Sequence, residues 1–122
     1  MTPFGARLRA LREARGISQK ALAAALHVSP GYLSALEHGR RGRPSAGLLH
    51  QVCEHFGLIW DDAEELSRLA RLSHPKARLD TSGQSPEATA LANRLAREWR
   101  RLGPEDIAAM HAILDEAARR GD

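Results

Sequence analysis

The sequence predicts an all-α chain: five helices form a globule over about residues 1–73, a linker covers 74–85, and a C-terminal helical hairpin runs over 86–122. Three observations lead there. Apolar residues recur at helical spacing through almost every segment. Ser or Thr followed by Pro, the residues that cap a helix and open its first turn, stand at Thr2-Pro3, Ser29-Pro30 and Ser85-Pro86. Aromatics make up only 4% of the chain while hydrophobic residues reach 43%, so the core must come from Leu, Ala, Ile and Val, which suits helix-on-helix packing.

Taken in order, Thr2 caps a first helix whose face carries Phe4, Leu8 and Leu11, and Gly16 ends it. Ser18 caps a second, Gln19 to Leu26, with Leu22, Ala23 and Leu26 as its stripe. His27-Val28 makes a short turn, and Ser29 caps a third helix with Leu33 and Leu36 inward and Gly39 as its stop. An arginine-rich loop spans Arg40 to Pro44. Ser45 caps a fourth helix with Leu49, Val52, Cys53 and Phe56 inward and Gly57 at its end. A fifth is expected from about Asp61 to Ser73; Asp61, Asp62, Glu64 and Glu65 near its start and Arg68 and Arg71 near its end complement the helix dipole.

His74-Pro75 breaks the pattern, and 75–85 reads as linker with a short extended piece near Leu79. A sixth helix carries Leu91, Leu95, Trp99 and Leu102 at helical spacing. Gly103-Pro104 stops and restarts the chain, and a last helix carries Ile107, Met110 and Leu114.

Charge is unevenly distributed. Residues 1–45 hold eight Lys/Arg against two Asp/Glu, a net +6; the remainder holds ten against thirteen, a net −3. A basic front half joined to an acidic back half suits a polyanion at the front, although a solvated surface accounts for it equally well. The single cysteine, Cys53, allows no disulfide within the chain and fits a reducing cytoplasm. No stretch approaches the roughly 18 apolar residues of a membrane span, so the expected place is the cytoplasm, on the nucleoid. His50, Cys53 and His55 lie close in sequence, but His50 and His55 sit roughly 140° apart on a helix and a fourth ligand is missing, so the reading is a small buried thiol with solvated histidines and no metal. The acidic cluster at Asp61–Glu65 reads as a helix start. No phosphate-binding glycine loop, zinc-protease motif or nucleophile elbow is present. An enzyme is not expected, nor a cofactor.

The stretch Ser18 to Glu37, SQKALAAALHVSPGYLSALE, carries the functional signal. Two short helices meet at a tight turn, and the second begins with small or polar residues. The major groove of DNA admits one α-helix, and a reading helix must present unbulky residues at its first turns while being held rigidly from behind. Leu33 and Leu36 supply the backing against Leu22 and Leu26, and Pro30, Gly31, Ser34 and Ala35 the free face.

From Arg7 to Leu58 the chain resembles the phage-repressor/Cro helix-turn-helix domain, the xenobiotic-response-element (XRE) family of bacterial transcriptional regulators. The residues that match are Leu8, Leu11-Arg12, Gly16, Ser18-Gln19, Leu22-Ala23, Leu26, Val28-Ser29, Leu33-Ser34, Leu36-Glu37, Gly39, Pro44-Ser45, Leu48-Leu49 and Phe56-Gly57. The resemblance implies a five-helix lambda-repressor-like fold and double-stranded DNA as partner. It places Gln19 at a position that touches phosphate and supports the reading helix, Ser29 and Tyr32 at phosphate or sugar, and Pro30, Gly31, Ser34 and Ala35 toward the bases. Arg12 and Glu37 match a structural pair that bridges the first and third helices.

Two departures stand out. His27 occupies the turn position usually held by glycine, so a left-handed residue is expected there at modest cost. The base-facing positions lack the long donors that make the strong direct contacts, so readout must lean on Ser34, Tyr32, DNA shape or another segment. Gly39-Arg40-Arg41-Gly42-Arg43-Pro44 is that other segment, and its Arg-Gly-Arg-Pro core resembles the AT-hook. Either Arg41 or Arg43 enters a flanking minor groove, or Arg40, Arg41 and Arg43 all pair with phosphates and add affinity without sequence information. The place of this loop in similar folds favours the phosphates.

The C-terminal hairpin carries the apolar set Leu91, Leu95, Trp99, Leu102, Ile107, Met110 and Leu114, which is large for so small a segment. Pairing with a second copy in a homodimer is the favoured reading, since near-palindromic operators mirror two-fold proteins. Packing back on the globule is another. A third makes the chain an antitoxin whose tail binds a protein partner.

Overall fold

The computed structural model describes residues 1–121; Asp122, the last residue of the expected hairpin, lies outside the described residues. Seven α-helices run in chain order among them: α1 Pro3–Ala14, α2 Gln19–Leu26, α3 Pro30–Glu37, α4 Ala46–Phe56, α5 Asp61–Arg71, α6 Pro86–Glu98 and α7 Pro104–Gly121, with a 3-10 turn at Trp99–Arg101. No strand occurs among the described residues, so the chain is all-α as expected.

The helix starts follow the capping chemistry of the sequence. Side-chain oxygens of Thr2, Ser18, Ser29, Ser45 and Ser85 accept from the backbone N–H three residues on, at 3.0–3.2 Å. Each satisfies a donor that the helix itself leaves open. At the other ends, Gly57 (φ 65°) and His27 (φ 58°, ψ 40°) take the left-handed conformation. His27 thus does what a glycine does in that turn, and its N–H reaches the carbonyls of Ala23 and Ala24.

Residues Met1–Ala77 form one compact unit. In it α1 packs on α3 and α5, α2 on α3 and α4, and α4 on α5. The core is Phe4 and Leu8 from α1, Leu22, Ala23 and Leu26 from α2, Leu33 and Leu36 from α3, Leu48, Val52 and Phe56 from α4, and Leu66 and Ala70 from α5. Each fully buried Leu or Phe contributes about 1.5–3 kcal/mol of transfer free energy. Arg15 ties the end of α1 to that of α4, donating to the carbonyls of His55 (3.1 Å) and Phe56 (2.9 Å) with its guanidinium over the Phe56 ring.

Two local expectations need correction. The fifth helix stops at Arg71, not Ser73, because the Ser73 hydroxyl turns back to donate to the Leu69 carbonyl (2.6 Å) and accepts the N–H of Phe4 (2.9 Å). The Leu91–Leu102 stripe is not one continuous helix, since α6 ends at Glu98 and Leu102 is extended. Leu79 lies in the linker, in chain without helix or strand. The start of α5 also has a feature the sequence does not announce: Trp60 precedes it at φ 53°, ψ −123°, without a side-chain cap, and is 84% exposed.

A second unit begins at Arg78. Gly83 (φ 80°) turns the chain toward α6, and the Thr89 hydroxyl donates to that of Thr81 at 2.8 Å. Glu98 pairs with Arg94 and Arg101, and the hydrogen bond from Arg94 holds its carboxyl below the usual range. Neither α6 nor α7 buries a single described residue.

Candidate nucleic-acid interface

The Glu37 carboxylate fixes α3 from behind. It is 1% exposed and accepts from Arg12 Nε (2.9 Å), Arg12 Nη2 (3.1 Å) and Gln19 Nε2 (3.1 Å). Arg12 Nη1 donates in addition to the Ile17 carbonyl at 2.8 Å. One carboxylate therefore binds α1, the start of α2 and the end of α3 together. The hydrogen bonds to Glu37 hold the Arg12 guanidinium above its ordinary pKa, against the opposing effect of burial. Arg12 and Glu37 form the bridge expected of them. Gln19 spends its NH₂ on Glu37, and its carbonyl oxygen can only accept, so its amide nitrogen is the group that would be shared with a phosphate.

A second constraint was not visible in the sequence. A Cβ built on Gly5 would lie 2.1 Å from the Leu36 carbonyl oxygen and 3.1 Å from that of Glu37. The backbone of α1 thus runs hard against the last turn of α3, which only glycine permits.

The outer face of α3 presents the expected residues. Ser29, Pro30 and Gly31 are exposed, and Tyr32, Ser34 and Ala35 half-buried. Gly31 has open space around it and an ordinary φ, so nothing inside the protein requires glycine there. The His38 Nδ1 lies 2.8 Å from the Ser34 carbonyl. A carbonyl only accepts, so this nitrogen carries the hydrogen, and the Ser34 hydroxyl keeps its own hydrogen for an outside acceptor.

The arginine loop folds back on α3. Gly39 turns at φ 78°, and the N–H groups of Arg40 and Arg41 both reach the Ala35 carbonyl at 2.9 and 3.1 Å. The Arg41 guanidinium stands 5.9 Å from the centre of the Tyr32 ring. Arg40, Arg41 and Arg43 are exposed, and none forms an ion pair among the described residues. Arg41 is thereby held beside Tyr32 and the start of the loop on the last turn of α3, while Gln19 is tied to Glu37 at the end of the same helix.

The other expected set is split between α6, the 3-10 turn and α7. Leu91 is 57%, Trp99 51% and Leu114 66% exposed, with Leu95, Leu102, Ile107 and Met110 half-buried. Cys53 is half-buried, and burial pushes its thiol pKa up. No group of residues that could hold a metal occurs among the described residues.

A family model described as a helix-turn-helix domain matches residues 3–69. Over an alignment 131 positions long, covering 98% of the chain and 97% of the relative, the sequence is 29% identical to the HTH-type transcriptional repressor RghR of Bacillus subtilis (strain 168). Over 57 residues, 47% of the chain, it is 47% identical to the HTH-type transcriptional regulator RamB of Mycobacterium tuberculosis (strain ATCC 25618 / H37Rv), of which the match spans only 12%. No solved structure matches.

Proposed function

The chain belongs to the helix-turn-helix domain family, and on that premise we propose that it is a sequence-specific transcriptional regulator, a repressor that holds a near-palindromic operator as a homodimer. One observation carries the reading: the exposed, unbulky face of α3 is locked from behind by Glu37 and continues into a loop of three unpaired arginines. In this arrangement α3 lies in the major groove, Pro30, Gly31, Ser34 and Ala35 face the bases, and Gln19, Ser29, Tyr32, Arg40, Arg41 and Arg43 grip the backbone. The likeness to a transcriptional repressor over nearly the whole chain supports repression as the sign. The place of action is the nucleoid, in the cytoplasm; among the described residues no helix is long and apolar enough to cross a membrane.

The homodimer rests on the second unit. Helices that bury nothing, with Leu91, Trp99, Ile113 and Leu114 each more than half exposed, have no core of their own. A unit this small is rarely stable unless another surface covers it. A second copy does so symmetrically, as the two half-sites of a near-palindromic operator require.

Selection from a random duplex library tests the function. The expected product is an inverted repeat with half-sites about one helical turn, roughly 34–36 Å, apart; binding without enrichment would sink sequence-specific regulation. A chain ending at Ser82 is expected to sediment as a monomer and to bind single half-sites. If it stays dimeric, α6 and α7 are not the dimer contact, and capture of a small partner protein by that tail would favour the antitoxin reading.

Arg43→Ala is expected to weaken binding about equally on all duplexes and to flatten the salt dependence by roughly one ion. Loss confined to A·T-flanked sites would instead place Arg43 in the minor groove.

A further inference from the structure

Gly42 has no left-handed φ, so its glycine is required for space and not for conformation. A Cβ built on it would lie 2.5 Å from Pro75 Cδ, 3.0 Å from the Ser73 carbonyl oxygen and 3.6 Å from His74 Cα. The segment that leaves α5 is thus laid flat on the arginine loop. It is also anchored, because Ser73 is 2% exposed and its hydroxyl links Leu69 and Phe4.

This packing holds Pro75 against the arginine loop at Gly42, and Lys76 is the next residue along the chain. The two stretches involved, 38–47 and 72–77, contain no Asp or Glu. Lys76 is exposed and, like Arg40, Arg41 and Arg43, forms no ion pair among the described residues. Four exposed cations without ion pairs thus lie on two pieces of chain that meet at Gly42 and Pro75, and a polyphosphate backbone is the partner that such charge suits.

We propose that residues 74–76 form a second, sequence-independent strand of the DNA grip, in which Lys76 contacts a backbone phosphate beside those held by the arginine loop. The inference rests on the DNA-binding reading above. It makes the exit from α5 part of the DNA surface and not only a tether to the second unit.

The sequence contains just two lysines, Lys20 and Lys76, which makes amine acetylation a clean probe. The full chain is treated with an acetylating ester, with and without sheared random-sequence duplex DNA at low salt, and the two sites are read by mass spectrometry. Lys76 is expected to react several-fold more slowly on DNA. The slope of log affinity against log salt for Lys76→Ala is expected to be shallower by about 0.9, as for one lost phosphate contact, while Lys76→Arg keeps the parent slope. If Lys76 reacts at the same rate on and off DNA, or if Lys76→Ala keeps the parent slope, while Arg41→Ala flattens it, the proposal is overturned and the loop grip stands. If the parent chain retains no duplex under these conditions, the DNA-binding reading falls and this proposal with it.

Discussion

Gly5→Ala is expected to lower the melting temperature of the first unit by about 10–20 °C and to weaken DNA binding with it. The added methyl would sit 2.1 Å from the Leu36 carbonyl oxygen, a backbone atom that no rotamer change can move. Either α1 slides outward, opening contacts at Phe4 and Leu8, or the end of α3 shifts and strains the Glu37 contacts. Overpacking costs about 1–3 kcal/mol, and the absence of a flexible neighbour puts this case at the upper end. In a domain of this size each kcal/mol moves the midpoint by about 4–8 °C.

Gly31→Ala is the matching control. Gly31 has nothing within 4 Å and an ordinary φ, so alanine there should leave stability unchanged or raise it by about 0.5–1 kcal/mol, the helix-interior difference between the two residues. In the docking proposed above its effect belongs in DNA affinity, where the added methyl would meet the bases. Thermal melts and gel retardation of the two variants separate a glycine required by the fold from one required by the ligand. Equal melting temperatures for Gly5→Ala and the parent would overturn the close approach of α1 and α3.

That contrast also marks where the sequence is legible. Caps and apolar spacing are local, and they placed α1 to α4 to within a residue or two because Ser and Thr side chains act three residues away. His27 was legible for the same reason: the turn needs a left-handed residue whatever surrounds it. Gly5 and Gly42 were not, since the reason for each lies in a carbonyl or a proline more than thirty residues distant. Ser73 reads as the end of a helix by pattern, and only its contact with Phe4 shows why the helix stops earlier. The α3 face and the arginine loop could be named from residue type and order. That Lys76 joins them depends on how the exit from α5 folds back, which no spacing reveals. In the second unit the spacing of Leu91, Leu95 and Trp99 is apparent, but not what they touch, because the described chain offers them no core.

Arg12→Ala should cost far more than the loss of any other single ion pair, about 3–5 kcal/mol, because it leaves the Glu37 carboxylate buried with only Gln19 as donor. The exposed pair Arg9–Glu13 sets the comparison. Its side chains are 45% and 55% accessible, so removing Arg9 should leave the stability nearly unchanged. The stability of Arg12→Ala is read from the denaturant midpoint at constant m, so that a change in the extent of unfolding is not mistaken for a change in free energy. The double variant Arg12→Met, Glu37→Leu removes both charges and keeps apolar volume. It is expected to recover much of what Arg12→Ala loses, since the cost of the single change lies in the orphaned charge and not in the missing attraction. Recovery of stability should come without recovery of DNA binding: Gln19 has then lost its acceptor, and nothing but apolar packing sets the angle of α3 against α1 and α2. A double variant as unstable as the sum of its two single changes would mean that the network holds the fold pair by pair. One that is stable and binds DNA at full strength would mean that Glu37 does not orient α3 at all.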